Sequence, residues 1–273
     1  METGWNRPGG KAPEFWVAWG HLDLPAREMA HLQRFCVIAQ ARSGSEYLTT
    51  RLNEHPDIAC HRELYNRRTV YSALTGPWKA KLPQVEWRDE HPLEALEQVV
   101  ALSDQAFPDK RIFGFKLFLN HNQEVRKHIR EDERYKLVVL ERGNKLAQFV
   151  STLTARETGR WSVFNDKKDK TATGTVQVDV NVGDLARFVE LEDQRYGQFN
   201  KRIAGRAGVI HLKTEELEPR FAEVLDFLEV DVSPELREVR GRQNPSPLAA
   251  RIRNWDQVHD WLGQHGRLAW AGT

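Results

Sequence analysis

The tetrapeptide Arg42-Ser43-Gly44-Ser45 follows a short apolar run and precedes a stretch whose apolar residues are spaced as on a helix. A strand that turns sharply into a helix directs successive backbone N–H groups and the positive end of the helix at one point. Ser43 and Ser45 add hydroxyl donors, and the planar guanidinium of Arg42 matches the oxygens of phosphate or sulfate. The tetrapeptide therefore predicts an anion site. Its spacing is not that of a Walker A loop, and a simple capped turn is the alternative.

A second set of polar residues lies at the ends of two later apolar runs. Arg142 follows the run 135–140, and Ser151 comes nine positions later on the next predicted helix. Nine residues make two and a half helical turns, so the two side chains meet one ligand only if Arg142 reaches from the turn before the helix. Lys116 lies near the end of the run 111–119. Taken alone, each of these residues is equally well an ordinary surface residue.

The apolar runs alternate with stretches of helical periodicity, and this alternation predicts an α/β fold. Short apolar strands separated by helices indicate a central parallel sheet that is covered on both faces. We predict strands at 35–39, 111–119, 135–140 and 209–212. One helix is predicted directly after Ser45, and another follows Gly143 and ends at Ala155. Further helices are predicted at 93–107, 185–203, 215–228 and 254–263. Ligands of such sheets bind at the carboxyl ends of the strands. The polar residues above are therefore expected at one edge of the sheet.

The chain shows no internal repeat and no linker long enough to separate domains. Residues 1–33 contain scattered Pro, Gly and Trp and are predicted to form an extension that packs on the body of the protein. Residues 34–273 are predicted to form a single domain. Within it, 165–183 is predicted to begin as an exposed loop.

The composition excludes several classes of protein. The 273 residues include 40 Lys and Arg and 39 Asp and Glu, so the net charge of +1 provides no global field for nucleic acid or an acidic membrane surface. The longest clean apolar run, 35–39, is far shorter than the roughly 20 residues that a bilayer span needs. The N-terminus has no apolar signal core, and two cysteines cannot form a disulfide framework. We therefore predict a cytoplasmic protein that does not bind nucleic acid; its oligomeric state is not readable.

Taken together, the RSGS loop and the spacing of Arg142 and Ser151 resemble the sulfotransferases that use 3′-phosphoadenosine-5′-phosphosulfate (PAPS). The likeness is to the bacterial carbohydrate branch, which includes the trehalose and nodulation-factor enzymes. In that branch the first loop reads RSGS, and a later strand leads into R-x8-S with a downstream TG-x-W, which is present here at 158–161. Shorter matches, in the same order over about residues 34–262, are 114–116, 214–217, 243–245 and 252–254.

The resemblance implies a three-layer, P-loop-NTPase-like domain whose donor is PAPS. The cofactor-binding residues would be Arg42, Ser43, Gly44, Ser45, Arg142 and Ser151. Of these, the loop would hold the 5′-phosphate, and Arg142 with Ser151 would hold the 3′-phosphate. Arg42 would stabilise charge on the transferred group and the leaving oxygen, and Lys116 would touch the sulfuryl group. No metal is implied, because a sulfuryl group carries one negative charge fewer than a phosphoryl group and N–H and guanidinium donors can stabilise it.

The acceptor hydroxyl must lose a proton as sulfur is attacked, so this chemistry needs a general base. The family places a Glu before an aromatic residue after the first helix, and Glu63 matches that position. His61 is the competing base, since its ordinary pKa near 6.5 needs little tuning. In an extended segment the two side chains would share a face, and Arg62 would pair with Glu63 and keep it ionised. His55 and Cys60 lie nearby, but the spacing matches no zinc site.

Glu46 departs from the family pattern, which commonly has Ser or Thr after RSGS. A carboxylate suits the first turn of a helix but repels a phosphosulfate. We expect Glu46 either to point away from the donor or to pair with Arg42 or Arg51. Glu46 is also the one feature that favours a rival function, a nucleotide-binding regulator without turnover.

The sequence thus predicts a sulfotransferase that moves a sulfuryl group from PAPS to a hydroxyl of a carbohydrate, glycolipid or other small acceptor. A P-loop-like kinase is the enzymatic rival. It would need a Lys after the glycine turn and an Asp at the end of a neighbouring strand for Mg²⁺, and the sequence has neither. The stretches 64–92 and 161–182 would set the acceptor. Their Trp78, Trp87 and Trp161 would either stack on sugar rings or belong to the core.

Overall fold

The computed structural model describes residues 33–161, 175–232 and 246–272, and its five strands form one parallel sheet. In chain order the strands are β1 Gln33–Ala39, β2 Ile58–Glu63, β3 Ile112–Phe118, β4 Tyr135–Glu141 and β5 Val209–Lys213. Across the sheet the order is β2-β3-β1-β4-β5. β1 is therefore central, and its carboxyl end lies between those of β3 and β4.

Helices connect the strands and cover both faces of the sheet. They are α1 Ser45–Glu54, α2 Gly76–Ala80, α3 Val85–Glu90, α4 Pro92–Ala106, α5 Gln123–Glu131, α6 Lys145–Thr158, α7 Val182–Arg202, α8 Phe221–Phe227, α9 Leu248–Arg251 and α10 Trp255–Gln264. Two 3-10 turns lie at Thr214–Glu216 and Leu268–Gly272. One apolar core joins the sheet to α1 and α8, and another joins its opposite face to α4, α5 and α7. The predicted α/β fold with a central parallel sheet is confirmed.

Successive side chains of β1 enter these two cores in alternation. Phe35 and Val37 pack on the side of α1, and Cys36 and Ile38 pack on the side of α4. A strand buried on both faces has no polar face, so its sequence is a continuous apolar run. Gly114 in β3 is required by this packing, because a Cβ there would lie 2.0 Å from the ring of Phe35.

A third apolar cluster forms beyond the sheet and positions the C-terminal helices. It joins α6 to the beginning of α7, α9 and α10. An isolated parallel bridge between Val178 and Ile252 ties the segment before α7 to the end of α9. As a result α9, which carries Arg251, packs against α6.

β2 is the main difference from the predicted elements. Its residues 58–63 were expected only to follow the first helix, because just three of them, 58–60, are apolar and the rest are polar. Pairing with β3 makes them a strand, with an irregularity between Cys60 and Glu63. The predicted helix 215–228 is also split, into the 3-10 turn at 214–216 and α8.

Some predictions fall outside the described residues. They are the packing of 1–33, apart from Gln33 in β1, most of the loop at 165–183, and the match at 243–245. The division of the chain at residue 34 stays a prediction. Among the helices that the structure describes, none is long and apolar enough to cross a membrane.

Candidate functional site

The loop between β1 and α1 has a tightly constrained backbone. Arg42 and Gly44 are both left-handed, with φ of 63° and 76°. A Cβ on Gly44 would lie 2.9 Å from Cγ2 of Thr214, so glycine is needed for space as well as for φ. The hydroxyl of Thr214 donates to the carbonyl of Ser43 at 2.6 Å, and the buried hydroxyl of Ser43 donates to the carbonyl of Gln40 at 2.7 Å. The loop is thus clamped to the residue after β5, and the Ser43 hydroxyl proton is used within the loop.

The two predicted phosphate-binding sets meet around Arg42. Its Nε donates to Oγ of Ser151 on α6 at 2.9 Å, and its carbonyl accepts from Nη1 of Arg142 at 3.1 Å. Gln148, also on α6, donates to the carbonyl of Ala41 at 2.9 Å. The structure therefore joins the loop after β1 to α6. It places the guanidinium of Arg42 at Ser151, the residue predicted to hold the 3′-phosphate.

Arg251 is a further cation near Arg42, and it was not among the residues predicted from the sequence. It belongs to α9, its side chain is buried, and its Nη2 has no hydrogen-bond partner among the described residues. Burial lowers the pKa of Arg42, and the positive charge of Arg251 lowers it further. Arg251 is buried and Arg42 is half-buried, and like charges so placed are costly unless anions compensate them. The charge of Glu46 provides part of that compensation at Arg42. The only sequence signal was the weak match at 252–254, which directly follows Arg251.

Glu63 lies in a cluster of charged side chains at the end of β2. Lys116 is its partner in the sheet register, and the Lys116 ammonium is 3.1 Å from Glu63 Oε1. Nδ2 of Asn66 donates to Glu63 Oε2 at 2.8 Å. Burial opposes ionisation of Glu63, but the charge of Lys116 and these hydrogen bonds outweigh it and hold the pKa of the carboxyl below its usual value. Glu63 is therefore an ionised, hydrogen-bonded carboxylate.

Two expected ion pairs of this region are replaced by others. Glu46 contacts the buried ammonium of Lys116 at 3.0 Å and the guanidinium of Arg62. Arg62 was expected to hold Glu63 ionised, but Lys116 is the cation beside that carboxylate. Of the two arginines considered as partners of Glu46, Arg51 pairs with Glu218 at 3.2 Å instead, whereas the charge of Glu46 does act on Arg42. Lys116 thus links Glu63 of β2 to Glu46 in the first turn of α1.

His61 lies on the other face of β2, so the expectation that it shares a face with Glu63 is wrong. The irregularity between Cys60 and Glu63 adds one residue to the strand and reverses the alternation. His61 is fully buried, 2.7 Å from Oγ of Ser103 and 3.1 Å from Oγ of Ser72. Burial lowers its pKa to about 3, so the imidazole is neutral. The structure does not bring His61 to the cluster of Glu63 and Lys116.

Side chains of the protein bind backbone N–H groups in the first turn of α6 and in the turn before it. The carboxylate of Glu215 accepts from the backbone N–H groups of Gly143 and Asn144, both at 3.0 Å. Oδ1 of Asn144 accepts from the N–H of Ala147 at 2.8 Å. The backbone N–H groups of 143, 144 and 147 are therefore already bound, and a ligand at this turn would have to be contacted by side chains.

The three tryptophans of the predicted acceptor region are not core residues. Trp161 is 53% exposed, and its carbonyl accepts from Nη1 of Arg42 at 2.7 Å. Trp78 is half-buried beneath the ammonium of Lys81, and Trp87 is half-buried beside His91.

Within the described ranges, no three His, Cys, Asp or Glu side chains are grouped as metal ligands.

Comparison with known proteins finds likeness in structure only. No family model matches the chain, and no curated protein matches it. Several solved structures are similar in the arrangement of their elements. A sulfotransferase from Alicyclobacillus acidocaldarius is 17% identical, with a TM-score of 0.46 over 86% of this chain and 97% of that one.

Two further structures are similar to this chain at equally low sequence identity. A sulfotransferase from Mycobacterium avium is 9% identical, with a TM-score of 0.45 over 86% of this chain and 76% of that one. A retinol dehydratase in complex with retinol and PAP is 17% identical, with a TM-score of 0.33 over 76% of this chain and 62% of that one. The structural neighbours are thus sulfotransferases and a PAP-binding enzyme, and we draw nothing from them about the residues or substrates of this chain.

Proposed function

We propose that this chain is a PAPS-dependent sulfotransferase that transfers a sulfuryl group to a hydroxyl of a carbohydrate, glycolipid or other small acceptor. One observation carries the proposal. Glu46, the residue directly after the RSGS loop, shares the ammonium of Lys116 with Glu63, at 3.0 and 3.1 Å. An anionic donor bound at the loop would therefore lie beside a carboxylate that is able to accept a proton.

The groups around the loop suit a nucleotide with two phosphate positions. Among the described residues, none hydrogen-bonds to the backbone N–H groups of 43–45, which lie at the N-terminus of α1. We assign the 5′-phosphosulfate to these groups. Arg142 and Ser151 are assigned to the 3′-phosphate, as the family resemblance implies. Arg42 and the buried Arg251 add charge that would act on the same phosphates.

The reaction assigns the proton to Glu63. PAPS supplies the sulfuryl group when bound, and the bisphosphate nucleotide PAP leaves. Glu63 accepts the acceptor's hydroxyl proton as the new oxygen–sulfur bond forms and the bond from sulfur to the 5′-phosphate oxygen breaks. Lys116 keeps Glu63 ionised and orients it, since its ammonium lies between the two carboxylates. The role of Lys116 is therefore on the acceptor side as well as at the sulfuryl group.

Two observations weigh against the rival functions. A kinase needs a carboxylate for Mg²⁺ near its phosphate loop, but Glu141 at the end of β4 is bound by Lys145 and Lys213, both at 2.7 Å. A regulator without turnover was favoured by the charge of Glu46. That charge is compensated by Arg62 and Lys116, so it does not by itself oppose a phosphosulfate.

A transfer screen tests the proposal. The full chain is incubated with labelled PAPS and a panel of glycans, glycolipids and small alcohols, with and without EDTA. We expect labelled product that EDTA does not diminish. A parallel screen with labelled ATP in place of PAPS that gives Mg²⁺-dependent transfer would instead establish the kinase. PAP binding without transfer in either screen would establish the regulator.

Two substitutions then separate the candidate bases. Glu63→Gln keeps size and hydrogen bonding but removes the proton acceptor, so kcat should fall by on the order of 10²–10⁴-fold. PAP affinity should barely change. His61→Asn breaks buried hydrogen bonds with Ser72 and Ser103, so it should lower thermal stability but cost much less in kcat. The reverse order of the two kcat losses would transfer the role of base to His61.

A further inference from the structure

A tight turn directly after β2 presents two arginines next to Glu63. Asn66 and Thr69 form an antiparallel bridge, and Oδ1 of Asn66 accepts from the backbone N–H of Arg68 at 3.0 Å. Arg67 and Arg68 lie at the tip of this turn, and both are exposed. The same Asn66 donates through Nδ2 to Glu63 at 2.8 Å. One side chain therefore connects the proposed base to the turn.

The turn is held in shape from beneath by Arg88 of α3. The Arg88 side chain is 2% exposed, and its Nη1 donates to the carbonyls of Leu64, Asn66 and Thr69 at 2.9, 2.8 and 3.4 Å. Its Nε and Nη2 both donate to Asp89. A buried guanidinium that binds three carbonyls of one loop fixes that loop before any ligand arrives. Preordering of this kind lowers the entropic cost of binding.

The charges near Glu63 balance only if Arg67 and Arg68 are left out. Glu46, Arg62, Lys116 and Glu63 form ion pairs with one another. Neither Arg67 nor Arg68 has an acidic partner within 4 Å in the part of the chain that the structure describes. The turn therefore adds two uncompensated positive charges beside the cluster.

The charge of Arg67 acts on His121, a residue on which the charge of Glu63 also acts. His121 lies after β3, and its Nδ1 accepts from the N–H of Phe118 at 3.3 Å. Burial lowers the pKa of His121 to about 4; Glu63 opposes this shift, and the charges of Lys116, Arg88 and Arg67 contribute to it. The neutral imidazole adds no charge of its own. Arg67 and Glu63 thus both lie near enough to His121 for their charges to act on it.

We propose that Arg67 and Arg68 select acceptors that carry a carboxylate or another oxyanion close to the hydroxyl that is sulfated. The inference rests on the proposed function, because it takes Glu63 as the base that faces the acceptor. Guanidinium groups bind oxyanions through paired, charge-assisted hydrogen bonds. The turn begins three residues beyond the proposed base, and Asn66 links the two, so a hydroxyl that reacts at Glu63 would have these donors close by.

Matched saccharides that differ only in charge test this selection. Binding of tetragalacturonate and of its methyl ester to the full chain saturated with PAP is measured by calorimetry at low salt. We expect the acid to bind at least about tenfold more tightly than the ester. The preference should disappear in Arg67→Gln/Arg68→Gln. It should survive in Lys201→Gln/Arg202→Gln, a pair of exposed cations at the end of α7.

The outcomes separate this inference from the proposed function. Equal binding of acid and ester, no binding of either, or an unchanged preference in Arg67→Gln/Arg68→Gln would each overturn the selection by Arg67 and Arg68. An equal loss in the Lys201 and Arg202 variant would also overturn it, since the effect would then be one of net charge. PAP affinity is measured in the same samples. Its absence in the wild type would count against the proposed function, and its presence with no acid preference would count against this inference alone.

Discussion

Two strand–turn–helix units meet at the same edge of the sheet, and they differ in how their helix N-termini are satisfied. The first N–H groups of any helix have no partner within the helix. At α6, Asn144 accepts from the N–H of Ala147 in the first turn, and Glu215 accepts from the N–H groups of Gly143 and Asn144 just before the helix. At α1 the N-cap is Gly44, which has no side chain that accepts a hydrogen bond. Side chains of the protein thus bind N–H groups at the start of α6, and the described residues provide no such acceptor at the start of α1.

The difference shows that a strand followed by a turn and a helix is not by itself an anion site. Whether it becomes one depends on a residue from elsewhere, here Glu215, which follows β5. In the proposed function, the α6 unit binds the donor through two side chains, Arg142 and Ser151, and the α1 unit binds it through its backbone. The first-turn carboxylate of α1, Glu46, contacts Lys116 and Arg62.

The largest expected effect tests the claim that the α6 unit acts through a side chain. Arg142→Ala should weaken PAP binding by about 1.5–3 kcal/mol, because a charge-assisted contact to the 3′-phosphate is lost. Adenosine 5′-phosphosulfate lacks that phosphate and should bind the variant as it binds the wild type. Arg156→Ala, an exposed residue of the same helix, is the control. Calorimetry that finds equal losses for both nucleotides would remove Arg142 from the 3′-phosphate.

A pair of glycine substitutions compares the two turns directly. Gly44→Ala forces a side chain into a left-handed residue and against Thr214, so the free energy of unfolding should fall by roughly 1–3 kcal/mol and PAP affinity should fall with it. Gly143→Ala meets only the flexible end of Glu215 at 3.1 Å, so it should cost about 1 kcal/mol or less and leave PAP affinity unchanged. Urea unfolding and calorimetry measure both. Equal effects at the two positions would contradict the distinction between the turns.

The smallest expected effect concerns the carboxylate that caps α6. Glu215→Gln removes its charge from the helix N-terminus and should lower the free energy of unfolding by about 0.3–1 kcal/mol at low salt. PAP affinity should not change. Glu190→Gln, an exposed position in the middle of α7, should have no effect on either quantity. A loss of PAP affinity as large as that of Arg142→Ala would place Glu215 in the binding site.

Part of the site was predictable because it depends on local order in the chain. The RSGS loop, the helix after it, and Arg142 at the end of a strand all follow from apolar runs that stop at polar residues. Parallel strands then bring those ends to one edge of the sheet. The hydrogen bond from Arg142, after β4, to the carbonyl of Arg42, after β1, follows from that rule. What the rule does not supply is which polar groups contact each other.

The partners of Glu63 show why the rest was not predictable. Arg62 is its neighbour in sequence, but Lys116, from another strand, is its neighbour in space. One extra residue in β2 moved His61 to the opposite face. Arg251 lies in a helix of four residues, which is too short for its side-chain spacing to predict a helix. It comes near Arg42 because the third apolar cluster packs α9 against α6.

The sequence by itself determined the alternation of buried strands and helices, the apolar run that becomes β1, and the tight turn at Gly44 that only glycine permits. These are properties of short stretches, set by side-chain periodicity and backbone sterics. The tertiary structure alone decided that Lys116 lies between Glu46 and Glu63. It also decided that Glu215 accepts from N–H groups just before α6, and that no described residue hydrogen-bonds to the N–H groups at the start of α1. Ion pairs and caps between distant residues depend on strand order and register, which long-range packing sets and local sequence does not encode.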